Sequence, residues 1–232
     1  MSNKEVIHPE IFDTDLLSIL FHDLKTPVNA IQSFVMLIDG MLSDRDNFDN
    51  DTLRHYLNII KKQSNLLDSQ LKKLSQWKFA TVKVDLFNIE ALFEEVIKSL
   101  DVFRLDKDIE IITRIHFKTR QIKGYSQIFL IVLHNLLENA IKFSYPHGKV
   151  YLEAYDIGDK IEIVVRDTGV GINLSEINQI FSMNGYRQEG TSGEKGLGIG
   201  LFLCKRILNK LDEQLWVKRE PNGTSFHFTI TE

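Results

Sequence analysis

The sequence predicts an α+β protein: a long antiparallel helical hairpin that pairs as a dimeric four-helix bundle, followed by an α/β two-layer sandwich. Three observations predict it. Leu17, Leu24, Ile31 and Ile38 recur every seventh residue, with Phe21, Val28, Val35 and Leu42 as a second such series displaced by four. A later stretch repeats the pattern through Leu53, Ile60, Leu67 and Leu74, supported by Leu57 and Leu71. Such series are the seams of helices that pack on other helices. After Trp77 the period changes, and short alternating stretches interleave with helical ones, the pattern of helices mixed with a largely antiparallel sheet. The expected domains are therefore 1–80 and 81–232.

In order along the chain, residues 13–42 read as one helix with Pro27 its single breaker, so a bend is expected just after His22. Residues 43–51, rich in Asp and Asn, form a polar connection to the second helix. A hairpin of this kind leaves half its apolar face wet, and a symmetric homodimer covers it. Val82, Val84 and Leu86 alternate as a strand, and Asn88 caps a helix running to about Leu105. A strand at 109–115 and a helix at 126–143 follow. Next comes a hairpin of 150–155 with 160–166, a helix at 198–211, and a last hairpin turning on Pro221-Asn222-Gly223.

Composition limits the function. The chain has 232 residues, 43% apolar, enough for a core in each part. A formal net charge of −4 with no long basic block argues against nucleic acid. The single cysteine, Cys204, excludes an internal disulfide and a thiolate metal cluster and fits a reducing cytosol. No run of about eighteen apolar residues and no basic leader is present, so this segment is expected to make no membrane contact of its own and to be cytoplasmic.

Candidate chemistry gathers in a few stretches. Phe21-His22-Asp23-Leu24-Lys25-Thr26-Pro27 puts an imidazole off the apolar seam, with the Thr26 hydroxyl one turn on along the same face. On the helix at 126–143, Asn135, Asn139 and Lys142 share one face; a carboxamide oxygen there suits Mg²⁺ beside phosphates, and an ammonium suits the phosphates. Asp167-Thr168-Gly169-Val170-Gly171 ends a strand with a carboxylate able to accept from an exocyclic amine, while Gly169 and Gly171 let the backbone approach a ring. Gly193-Glu194-Lys195-Gly196-Leu197-Gly198-Ile199-Gly200 runs into a helix, and its amides suit phosphate oxygens.

These motifs, in this order, resemble the transmitter core of sensor histidine kinases of bacterial two-component systems. His22 to Pro27 looks like the phosphoacceptor box, 135–142 the N box, 167–171 the first glycine box, Phe181 the F box and 196–200 the second glycine box. The resemblance implies a dimerisation and phosphotransfer hairpin followed by an ATP-binding domain of the gyrase, Hsp90, histidine kinase and MutL type. It implies ATP and Mg²⁺ as cofactors, with Asp167 reading adenine, Asn139 with Asn135 holding the metal, Lys142 near the phosphates and Phe143 covering the base. Gly169, Gly171, Lys195, Gly196, Leu197, Gly198, Gly200 and Thr224 complete the implied nucleotide site, under a lid formed by the segment between Gly171 and Gly196.

The implied activity is phosphorylation of His22, assisted by Asp23, and transfer to an aspartate on a response-regulator receiver, with Thr26 serving a phosphatase activity. Sensor domains lie upstream in this family, so the segment is alternatively the cytoplasmic part of a longer, membrane-tethered sensor. Two departures stand out. Leu197 replaces a threonine frequent in the second glycine box, and Tyr125-Ser126 stands where an acidic residue is frequent. The alternative function they leave is a catalytically weak, nucleotide-binding dimeric scaffold.

Overall fold

Two helices of 30 residues, α1 (Thr14–Ser43) and α2 (Asn50–Phe79), make the first unit of the computed structural model. Residues 14–43, 49–79, 83–118, 121–173, 175–177, 179–182, 189–192 and 199–231 are described. The α1 helix runs on through Pro27 as one element. Asp49 starts α2 by accepting the Asp51 and Thr52 amides, each at 3.1 Å. The helices meet across the Phe34 and Tyr56 rings, 5.3 Å apart. Val35, Met36, Leu37 and Leu42 on α1 and Leu57 and Leu71 on α2 stay exposed.

The second unit contains the described residues from 83 to 231. In order it contains β1 (Asp85–Phe87), α3 (Ile89–Ser99), α4 (Asp101–Asp106), β2 (Glu110–Ile115), β3 (Ile122–Gly124) and α5 (Ser126–Phe143). These are followed by β4 (Lys149–Asp156), β5 (Lys160–Asp167), α6 (Gly200–Lys210), β6 (Leu215–Glu220) and β7 (Gly223–Thr231). Five strands form one sheet in the order β2-β4-β5-β7-β6, and β1 pairs with β3 in a separate ribbon. β2 is parallel to β4, the crossover passing through α5; the other pairs are antiparallel. The residues that alternate inward, among them Leu152, Ile163, Val165 and Phe228, are buried, as are Phe93, Val96, Val132, Leu136 and Ile207 of the helices. That is a two-layer α/β sandwich.

Three local features differ from the reading of the sequence. The helix capped by Asn88, whose Oδ1 accepts the Ala91 amide at 2.7 Å, breaks at Leu100 and resumes as α4. Ser99 there bonds back to the Val96 carbonyl at 2.7 Å, competing with the helical ladder. The first strand starts only at Asp85, and β3 was not anticipated; three residues carry too little periodicity to announce a strand. Asp85 also caps α5 from a distance, accepting the Ser126 hydroxyl at 2.6 Å and its amide at 3.3 Å. A carboxylate at a helix N-terminus is stabilising, and here it comes from β1 instead of from the residues just before the helix.

Candidate functional site

Where β5 ends, Asp167 turns its carboxylate into the sandwich, with the residue only 3% exposed. Its Oδ1 accepts the Gly169 amide at 2.8 Å and the Thr224 amide at 3.3 Å. Both amides bond the same oxygen, Oδ1. Burial pushes the carboxyl up to about 6, against the downward pull of the Gly169 and Thr224 amides. The adjoining cleft is open to solvent and is lined by Asn139, Phe143, Asp167, Gly171, Ile172, Glu176, Ile180, Thr224 and Phe226. Apolar walls with a few polar groups suit a flat heteroaromatic ligand.

Glycines make this arrangement possible. A Cβ on Gly223 (φ +108) would collide with the Asp167 carbonyl and lie 2.8 Å from its Oδ1. A Cβ on Gly169 would run into the Phe143 carbonyl, which also accepts the Val170 amide at 3.1 Å. Gly171 has φ +74, which a side chain would strain.

The α5 face delivers its polar residues unequally. Asn139 lines the cleft with Phe143. Asn135 instead donates its Nδ2 to the Ile131 carbonyl at 2.9 Å, and its Oδ1 would lie 2.7 Å from a Cβ on Gly200 at the start of α6. Lys142 holds its Nζ 4.8 Å from the centre of the Phe143 ring. Thr224 is brought to the cleft by the same β6–β7 turn that supplies its amide to Asp167. Phe181 packs edge-on to Phe226, centroids 6.4 Å apart.

Lys195, Gly196, Leu197 and Gly198 lie outside the described residues, as do the side chains of His22 and Asp23, whose backbone belongs to α1. Thr26 is exposed on α1. Ile172, Glu176, Ile180 and Phe226 line the cleft without having been singled out in the sequence. For Phe226 a signal existed, since alternation along β7 puts it on the same face as Thr224.

Two family models match the chain. The "Histidine kinase-, DNA gyrase B-, and HSP90-like ATPase" model covers residues 125–232, the cleft among them. The "His Kinase A (phospho-acceptor) domain" model covers residues 13–77. Together they make this chain a sensor histidine kinase transmitter core.

Among similar curated proteins, the adaptive-response sensory kinase SasA of Prochlorococcus marinus (strain MIT 9215) is 32% identical over 221 residues, which is 93% of this chain and 57% of that protein. SasA of Synechococcus sp. (strain JA-2-3B'a(2-13)) is 28% identical over 234 residues, 94% of this chain and 59% of that one. The chain thus spans a little over half the length of these relatives. Of solved structures, the mycobacterial sensor histidine kinase MprB matches with 26% identity and a TM-score of 0.53, covering 64% of this chain and 97% of that one. Histidine kinase ThkA in complex with response regulator protein TrrA matches with TM-score 0.70 at 21% identity, over 94% of this chain and 61% of that one, a likeness of fold.

The raised Asp167 value has a consequence for this histidine kinase in the absence of ligand. A carboxyl whose folded value, about 6, lies above its usual 3.8 contributes stability that is full below 3.8 and lost as pH rises through 6. Asp167→Asn removes that loss, so the variant is expected to exceed the parent in stability at pH 8 by roughly 1–3 kcal/mol. The gap should close near pH 4. Urea unfolding of both proteins at the two pH values measures it; a gap independent of pH would contradict the assignment.

Proposed function

We propose that this chain is an ATP-dependent protein-histidine kinase that phosphorylates its own His22 and passes the phosphoryl group to an aspartate of a response-regulator receiver. The observation that carries the reading is the buried Asp167 carboxylate, fixed by two backbone amides and lining a largely apolar cleft. An Asp167 carboxylate oxygen accepts a hydrogen bond from the exocyclic amine of adenine, Phe143 covers the ring, and Lys142 lies toward the phosphates. Lys195 to Gly198, with Gly200, serve the phosphates through backbone amides, so Leu197 costs a hydroxyl contact and leaves those amides in place.

Among the described residues no group of three or more His, Cys, Asp or Glu could hold a metal. Asn139, with its carboxamide on the cleft wall, fits the oxygen chemistry of Mg²⁺ held jointly with phosphates. Asn135, bonded to Ile131 and packed at Gly200, fits that role less well. When bound, Mg²⁺ neutralises charge on the phosphates.

An imidazole nitrogen of His22 attacks the γ-phosphorus, the bond to the β-phosphate oxygen breaks, and ADP leaves. Asp23 takes the proton from the other ring nitrogen. Positioning and charge neutralisation carry most of such a transfer. The exposed apolar residues of α1 and α2 support a homodimer formed through the hairpin. No helix of the described residues is long and apolar enough to cross a membrane. The Thr26 hydroxyl, exposed on α1, orients water toward the acyl phosphate of a docked receiver and gives the chain a phosphatase activity.

Incubation with γ-labelled ATP and Mg²⁺ is expected to give acid-labile, base-stable label on the protein. His22→Gln should abolish that label and leave nucleotide affinity within about twofold. Label persisting in the variant would place the acceptor elsewhere. For Thr26→Ala, autophosphorylation is expected to stay within a few-fold while most phosphatase stimulation, measured with ADP present, is lost. Equal losses of both would make Thr26 structural. Sedimentation at micromolar concentration should show a dimer, and a monomer would remove the basis for the hairpin interface.

A further inference from the structure

Lys107, in the turn after α4, is only 7% exposed, and a lysine is rarely buried without partners. Its ammonium donates to the carbonyls of Lys142 at 2.7 Å, Ile141 at 3.3 Å and Ser144 at 3.4 Å, and to the Thr191 hydroxyl at 2.8 Å. Its own carbonyl accepts the His147 amide at 2.9 Å. The three carbonyls belong to the C-terminal end of α5, where backbone acceptors lack intrahelical donors and the helix dipole is negative. Thr191 binds the same place, donating its amide to the Lys142 carbonyl at 3.2 Å and its hydroxyl to the Ser144 carbonyl at 2.6 Å.

Lys142 and Ser144 flank Phe143, which lines the cleft. The Phe143 carbonyl, between the two that are grasped, accepts the Val170 amide of the first glycine box and lies against Gly169. The peptide units around Phe143 are thus held from one side by Lys107 and Thr191 and from the other by the glycine loop that adjoins Asp167. A helix end capped only by water would leave that wall free to shift.

We propose that Lys107 is a positioning residue for nucleotide binding, fixing the Phe143 wall of the cleft through the carbonyls on either side of it and through Thr191. This rests on the cleft being the nucleotide site. With the ammonium gone and the apolar stem kept, Lys107→Met is expected to weaken binding of ADP with Mg²⁺ about tenfold, comparable to the loss of a charge-assisted hydrogen bond. Lys107→Arg, which keeps charge and donors, should recover to within about threefold of the parent. Thr191→Val should weaken binding about threefold, with only a modest fall in melting temperature.

Calorimetric titration of the full chain with ADP and Mg²⁺, with a melting curve for each variant, separates positioning from stability. A lowered melting temperature with affinity unchanged in both Lys107→Met and Thr191→Val would reduce Lys107 to a helix cap and overturn the proposal. If Lys107→Met does not fold, Thr191→Val decides alone. Asp167→Asn run alongside separates the two readings: unchanged affinity there sinks the cleft assignment, whereas weakened affinity there with no effect at Lys107 or Thr191 sinks only this inference.

Discussion

A carboxylate can be kept inside a protein only if something compensates for the water it has lost. For Asp167 that compensation is two backbone amides, from Gly169 and Thr224, delivered by two turns far apart in sequence. The antiparallel pairing of β5 with β7 brings those turns together, with Arg166 opposite Ser225 just before the strand ends. The glycines at 169 and 223 are required because the backbones approach so closely that side chains would collide. Sheet register, glycine placement and the raised carboxyl value are therefore parts of one constraint, and the cleft is what remains once it is met.

The same logic reaches the neighbouring helix. α5 is anchored at its start by Asp85 and at its end by Lys107, two charged residues from other elements, each matched to the sign of the dipole it meets. Between these anchors Asn139 reaches the cleft and Asn135 packs toward α6. Two asparagines one turn apart so come to differ in surroundings, because the helix runs past the cleft and only its C-terminal part borders it.

Much of this was legible in the sequence. Heptad series announced α1 and α2, and the bounds expected for α5, 126–143, coincide with those observed, since a long periodic segment ending shortly before Pro146 leaves little freedom. The strand–carboxylate–glycine order at 167–171 and the Asn-Gly turn at 222–223 were likewise visible. The pairing of β1 with β3 was not, because it is a long-range choice made by three-residue strands. Nor was the part taken by Lys107, whose partners lie 34 to 84 residues away. A lysine after a short helix reads as solvated surface until the tertiary structure brings carbonyls to it. The division of roles between Asn135 and Asn139 was hidden for a related reason: helical spacing puts both on one face but does not say which part of the face borders a cleft.

In the proposed reading, a carboxylate oxygen of Asp167 receives a hydrogen bond from the amine of adenine. Affinity for ATP against inosine triphosphate tests it most directly, because that analogue differs in carrying a ring carbonyl where adenine carries the amine. A carboxylate facing a carbonyl loses a hydrogen bond and gains a repulsion, so ATP is expected to bind at least about a hundredfold more tightly at pH 8. Equal affinity for the two nucleotides would show that Asp167 does not receive the adenine amine.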